Sequence, residues 1–313
     1  EAMYNKVDTN LNFVDREKSV EKFWKDNDIF RKSMENRKEG ETYTFYPLVK
    51  WKYDNLIRLK QPGKVDFTFT CYINDEEVDV KNIRLNYRTI NECLLGIRDT
   101  ANKYIDYRWM FAAFVNEEHP WLDVMLNNIL EQKLISRFSG YQLGEKEVIN
   151  QVFAIWYFIQ SKGIKYSSIS NTSKYSTKVN SQYIRFFDEV YRNRQANCID
   201  ACAFMASILK KIGLTPVIFV EPKHAYLGFY KDKNKKKLVL LETTLVGAID
   251  LTTIDEKVDT ATGLLPQSEL DKYKIHLSQK DMDNYLSGKT DLEKLKQTIS
   301  RSNFNNAMNY NVN

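Results

Sequence analysis

The chain has 313 residues, 43% of them hydrophobic and 13% aromatic. That is enough apolar material for one large domain or two ordinary ones, and it argues against wholesale disorder. The net charge of +5 sits largely in Lys-rich spots such as 231–237 rather than in a basic stripe, so a nucleic-acid partner is not expected, and no run of about 18 apolar residues suggests a membrane span.

Residues 15–33 read as a helix, with Val20, Phe23, Trp24 and Phe30 near helical spacing. Lys38-Glu39-Gly40 breaks the pattern and residues 42–46 read as a strand. The run VDTNLNFVDREKSVEKFWKDNDIFRKSMENRKEGETYTFY resembles the extreme N-terminus of isoleucyl-tRNA synthetases. The nucleotide-binding His-x-Gly-His of that family is missing, because His119, His224 and His276 lie far apart. No Lys-Met-Ser-Lys-Ser loop follows, so aminoacylation is not implied.

Residues 47–95 look β-rich. Val65, Phe67, Phe69, Cys71 and Ile73 alternate with polar residues, which predicts a strand with one buried face and places Cys71 on it as a buried thiol. Residues 74–77 form a turn, and Val78, Val80, Ile83 and Leu85 continue in strands, giving a small antiparallel sheet or sandwich. Residues 109–115 are strongly apolar. Pro120 suits the first turn of a helix reaching Lys133, and residues 145–161 form another helix that Gly163 ends. The Ser/Thr/Asn-rich segment 166–181 reads as a surface loop beside the next helix, and 183–191 as a short aromatic helix or turn.

The densest signal lies at 196–244. Asn197 caps a helix, Asp200 makes a near capping box, and Cys198 takes the first helical position. A thiol at a helix start has its thiolate favoured. Cys202, one turn on, falls on the core face and should be inert. Gly213 ends the helix and residues 216–221 form an apolar strand. After the Pro222-Lys223 corner, His224 opens a second strand; past the Lys-rich turn, residues 238–244 form a third, which carries Glu242. Antiparallel neighbours can set His224 beside Glu242, and the glutamate would then orient the imidazole as in a triad. The spacing of Cys198 and Cys202 is neither a zinc knuckle nor a redox pair. Four cysteines are too few for a disulfide scaffold, so a reducing, cytoplasmic setting is expected, although Glu1-Ala2-Met3 leaves room for a removed leader. Beyond residue 244, 251–254 and 273–277 read as short strands, 291–299 as a helix, and the Asn-rich end as irregular.

Cys198 at a helix start, Gly213-Leu214-Thr215-Pro216, His224-Ala225 and Glu242-Thr243-Thr244 resemble the transglutaminase-like superfamily, permuted relatives of papain-type cysteine peptidases. The wider stretch 47–247 is similar to an uncharacterised Bacteroidetes group carrying this module, through YPLVKWKYDNL, NECLLG, FVNEEHPWLD, QVFAIWYFIQ and QANCIDACAF. The Cys-to-His interval is shorter than in typical transglutaminases, and Glu replaces the usual Asp.

The resemblance implies an α+β fold: a Cys-bearing helix packed on an antiparallel sheet, with an N-terminal β-rich domain and helices. The expected divisions are 1–46 (synthetase-like), 47–95 (β-rich), 96–290 (transglutaminase-like) and 291–313 (helix and tail). It implies amide hydrolysis or acyl transfer on a peptide or protein substrate, with Cys198 as nucleophile, His224 as base then acid and Glu242 as orienter, and no cofactor or metal. The oxyanion would be met by the Cys198 N–H and by Gln195 or Gln182, with Asn197 in support. The alternatives are an inactive interaction module of the same fold, or tRNA binding through the N-terminus. Membership of such a superfamily supplies a site rather than a substrate.

Overall fold

The computed structural model describes residues 13–36, 50–167, 178–221 and 224–309. The expected strand at 42–46 and the Pro222-Lys223 corner lie outside them. Two compact units emerge, Glu1–Lys52 and Tyr53–Asn313. The first holds α1 (Phe13–Asp26) and α2 (Ile29–Glu35). Val20, Phe23, Trp24 and Phe30 are exposed there.

The second unit is α+β. It opens with α3 (Tyr53–Leu56) and the long strands β1 (Gly63–Ile73) and β2 (Glu76–Tyr87), which among the described residues pair only with each other. The expected buried face is not found: Cys71, Phe67 and Phe69 are exposed. Alternation set the strands correctly, but among the described residues nothing covers the apolar side. Nor does the 47–95 region close into a sandwich, because β3 (Glu92–Arg98) leaves it to pair with β4 (Tyr104–Asp106) and with the distant β6 (Val179–Tyr183). The presumed loop 166–181 therefore ends in a strand, and it begins with β5 (Lys165–Tyr166).

After a 3-10 segment (Arg108–Phe114), α4 (Trp121–Glu131) leads to α5 (Glu145–Ser161). Every residue from 151 to 160 of α5 is buried, the mark of a core helix rather than a surface one. Gly163 adopts φ +65° and closes it, and the Ile164 N–H reaches back to the Ile159 carbonyl at 3.4 Å. The short α6 (Phe187–Asn193) and β7 (Gln195–Ala196) then deliver α7 (Cys198–Lys211). Helix α7 packs on the antiparallel sheet β10-β9-β8, formed by β8 (Pro216–Val220), β9 (Ala225–Tyr230) and β10 (Leu238–Leu241).

Beyond β10 comes a 3-10 turn (Thr243–Ala248), followed by α8 (Thr252–Asp255), α9 (Gln267–Leu270), α10 (Gln279–Leu286) and α11 (Leu292–Met308). The expected strands at 251–254 and 273–277 are thus replaced: α8 occupies the first, and a 3-10 turn (Asp271–Tyr273) opens the second. The Asn-rich end is helical through Met308. Ile299, Asn303, Phe304 and Ala307 fall on one face of α11 and are buried. Asn303 Oδ1 accepts from Trp156 Nε1 at 3.2 Å and from Gln160 Nε2 at 2.9 Å, while Ser300 Oγ donates to Gln160 Oε1 at 2.6 Å. These buried bonds tie α11 to α5, because a buried amide is costly unless every polar atom is partnered.

Candidate active site

Cys198 sits at the first position of α7, partly exposed. The capping box closes as expected: Asn197 Oδ1 accepts from the Asp200 N–H at 2.9 Å, and Asp200 Oδ2 accepts from the Asn197 N–H at 3.0 Å. Asp200 does more than cap. Its side chain is fully buried and also accepts from the Arg185 backbone at 2.8 Å and from Arg185 Nη1 at 2.6 Å. This ion pair fastens the chain between β6 and α6 onto the helix that carries the thiol.

The β10–β9 register, Leu238 against Tyr230 through Leu241 against Leu227, brings the end of β10 to the start of β9. His224 immediately precedes β9 and Glu242 immediately follows β10. His224 Nε2 and Glu242 Oε2 are 2.6 Å apart. Glu242 is therefore not a strand residue, as its sequence neighbourhood suggested. Its backbone N–H leaves the sheet and donates to the Ala307 carbonyl of α11 at 3.0 Å. Its side chain then caps the following 3-10 turn, with Oε1 accepting from the Thr244 N–H at 2.9 Å and from Thr244 Oγ1 at 2.6 Å. Each carboxylate oxygen of this buried group thus has a partner, and its orientation is fixed. Gly247 lies in the same 3-10 turn, where a Cβ would meet the Tyr166 backbone N at 2.3 Å, so only glycine lets this turn approach β5 so closely.

The thiol and the His–Glu pair meet through backbone. The N–H of Ala225, the residue after His224, donates toward the Cys198 sulfur, as does the N–H of Ile199. Burial pushes the Cys198 thiol up from its ordinary range, and these two N–H groups counter that only in part. The helix start alone therefore does not give the resting thiolate that its sequence position suggested. Cys202 behaves as expected: it is wholly buried, its thiol is pushed far up by burial, and its sulfur lies 3.4 Å from Thr243 Oγ1. Thr243 Oγ1 also donates to the Cys198 carbonyl at 3.5 Å. The Cys93 thiol, buried elsewhere, is pushed up to about 11 by the same cause.

Asn197 is buried as the helix cap, and its Nδ2 has no hydrogen-bond partner among the described residues. Gln195 is exposed on β7, where it pairs in register with Lys165. Gln182 lies on β6 opposite Cys93, in a different sheet. The structure pairs His224 with Glu242 and brings the Glu242 charge and the Ala225 N–H to bear on Cys198, next to the Asn197 cap, and among the described residues no hydrogen bond joins either glutamine to them. It adds Arg185, Asp200, Thr243 and Thr244, and also Tyr166, whose phenol is raised first by burial and then by the nearby Cys198 and Glu242 charges. An Asp three residues into a capped helix and a Thr two residues past an acid were readable cues for Asp200 and Thr244. Thr243 lay in the Glu242-Thr243-Thr244 motif, whereas Arg185 and Tyr166 had no sequence signal. Among the described residues, no cluster of three His, Cys, Asp or Glu side chains could hold a metal ion, and no helix is long and apolar enough to cross a membrane.

Comparison with known proteins bears on a small part of the chain. A segment of 44 residues is 48% identical to the isoleucine–tRNA ligase of Clostridium novyi (strain NT) and covers 14% of this chain but 4% of that enzyme. The isoleucine–tRNA ligase of Clostridium kluyveri is 46% identical over 44 residues, with the same shares. No family model and no solved structure matches the chain.

The Thr244 side chain offers a check on the geometry. Thr244→Val keeps its shape and its backbone bond to Glu242 but removes the hydroxyl donor. Loss of one hydrogen bond to a buried carboxylate is expected to cost about 1.5–3 kcal/mol of stability, measured by urea unfolding. Thr253→Val, in which the lost hydroxyl bonds only the Asp250 carbonyl, should cost less.

Proposed function

We propose that the protein is a cysteine-dependent amide hydrolase or acyltransferase built on Cys198, His224 and Glu242. The observation that carries this reading is the 2.6 Å contact of His224 Nε2 with a buried, fully partnered Glu242, next to a backbone N–H aimed at the Cys198 sulfur. In this reading Nε2 faces the carboxylate and Nδ1 serves the thiol. Burial pushes the thiol up, which favours general-base catalysis by the imidazole over a preformed thiolate.

Cys198 gives its proton to Nδ1 as the sulfur attacks the amide carbonyl carbon. The imidazolium, stabilised by Glu242, then protonates the leaving nitrogen as the C–N bond breaks, leaving a thioester. Water or an acceptor amine, deprotonated by the same imidazole, attacks the thioester and releases the thiol. The Cys198 N–H at the start of α7 is one donor for the oxyanion. The substrate class that fits is a peptide or protein amide.

A second reading, a catalytically silent module of the same fold that binds a protein or peptide, draws on the raised Cys198 thiol. Acylation separates the two. In a Cys71→Ser background, which removes the exposed thiol, p-nitrophenyl acetate should give a stoichiometric burst of p-nitrophenolate and an acetyl group on Cys198 by mass spectrometry. The burst should vanish in Cys198→Ala. A burst unchanged by that substitution, or none at all, would leave the silent module.

A further inference from the structure

Among the described residues two arginines are partly buried, Arg185 and Arg301. Arg185 has the Asp200 carboxylate. Arg301, on α11, has no acid within ion-pairing distance among the described residues. Its guanidinium lies 3.6 Å from the centre of the Phe153 ring, and its Nη2 donates to Asn150 Oδ1 at 3.2 Å. Burial pulls the guanidinium down from its ordinary range. A charge taken partly out of water is costly unless something of opposite sign meets it, and a guanidinium is suited to a carboxylate or phosphate. Arg301 opens onto a cavity of about 620 Å³, lined by α5, α11, and by His276 and Asp281 at the approach to α10. None of Cys198, His224 and Glu242 lines it. Lys294, Thr298, Arg301 and Asn305, three or four residues apart, turn one stripe of α11 toward it. Lys294 also has no acid partner among the described residues.

We propose that this cavity binds a small hydroxy acid, with its carboxylate on Arg301 and Lys294 and its hydroxyl groups on Gln297, Ser302 and Asn305. The charge selects a monoanion. Two cations line the cavity against the single acid Asp281, and His276, pulled down by burial, is uncharged near pH 7. Asp281 is already engaged, with Oδ2 accepting from the Ser278 N–H at 3.2 Å and from Ser278 Oγ at 2.6 Å, and its charge would repel the second charge of a phosphate. The guanidinium can take a carboxylate through two parallel N–H bonds. The rest of the lining selects hydroxyl groups. Gln297, Ser302 and Asn305 spend no side-chain nitrogen or oxygen on other described residues, and each can both donate and accept. His276 Nδ1 is a further polar atom on this wall that is buried with no partner among the described residues. This proposal does not depend on the chemistry of Cys198.

Isothermal titration calorimetry with sodium gluconate, sodium acetate and sodium phosphate, at an ionic strength fixed with sodium chloride, tests it. Gluconate should bind the wild-type chain at one site with Kd on the order of 0.1–1 mM, and acetate, which lacks the hydroxyl groups, and phosphate should bind at least about tenfold more weakly. Arg301→Met keeps an unbranched stem on Phe153 but removes the charge, and should weaken gluconate at least about tenfold. Lys294→Met, at an exposed position where folding is not at stake, should weaken it by about threefold to tenfold. The far-ultraviolet spectrum of each variant should match that of the wild type. No gluconate binding up to about 20 mM, or binding that neither substitution weakens, overturns the proposal. Acetate or phosphate bound as tightly as gluconate rejects the hydroxy acid as the ligand.

Discussion

Arg185→Ala is expected to destabilise the protein by about 3–5 kcal/mol, the range for breaking a buried ion pair from one side. Asp200 is fully buried at the head of α7 and takes bonds from two backbone N–H groups and the Arg185 guanidinium. Removing the guanidinium leaves a buried charge that the two N–H groups offset only in part. Burial already holds the Asp200 carboxyl above its usual range, opposed by the Asn197 and Arg185 bonds. Without the guanidinium it must rise further.

The pH dependence of the variant follows from that sign. A carboxyl with a folded pKa above its unfolded one binds its proton more tightly in the folded state. The variant's stability should therefore fall as pH rises from the ordinary carboxylate range through the raised value, and recover on acidification as Asp200 takes up a proton. Denaturant unfolding between acid and neutral pH reads both the size and the slope. A loss under about 1 kcal/mol would mean that the pair is a surface ornament rather than the anchor of the thiol-bearing helix.

Glu242→Gln should lower the p-nitrophenyl acetate burst rate by about two to four orders of magnitude while the chain stays folded. The glutamine can still meet Thr244 through its oxygen, so the 3-10 turn keeps its cap. Toward His224, however, an amide supplies no negative charge for the imidazolium, and its NH₂ would impose the other tautomer, with Nδ1 protonated and unable to accept the thiol proton. Glu242→Asp should do less harm to the charge but shortens the reach to a 2.6 Å contact by one methylene. A Gln variant as fast as wild type would show that the glutamate only holds the turn.

The parts of this molecule that local rules control were legible before the structure. Asn197 and Asp200 announce a capped helix through their own spacing, and the thiol is placed by that cap. His224 was expected to open a strand, and it lies one residue before β9. Distant contacts decided the rest. Glu242 leaves the sheet because its N–H finds Ala307 on α11, 65 residues later in the chain. The Asn-rich end folds as helix because Asn303 is needed by Trp156 and Gln160, whereas composition alone reads as irregular. Cys71 illustrates the reverse error: alternation correctly marks an apolar side of a strand but says nothing about what covers it. For the thiol, a helix start favours ionisation, while burial, which only the packing reveals, pushes the other way.

The central claim, that the His224 imidazole serves the Cys198 thiol, is tested most directly by the pH profile of Cys198 alkylation. Iodoacetamide labelling in the Cys71→Ser background should be followed by mass spectrometry on the parent and on His224→Gln. With a thiol held protonated by burial, labelling near neutral pH depends on the imidazole taking the proton. The parent should label at least about tenfold faster than His224→Gln near pH 7, with the two profiles converging at alkaline pH where the thiol ionises unaided. Superimposable profiles across the whole range would contradict the account.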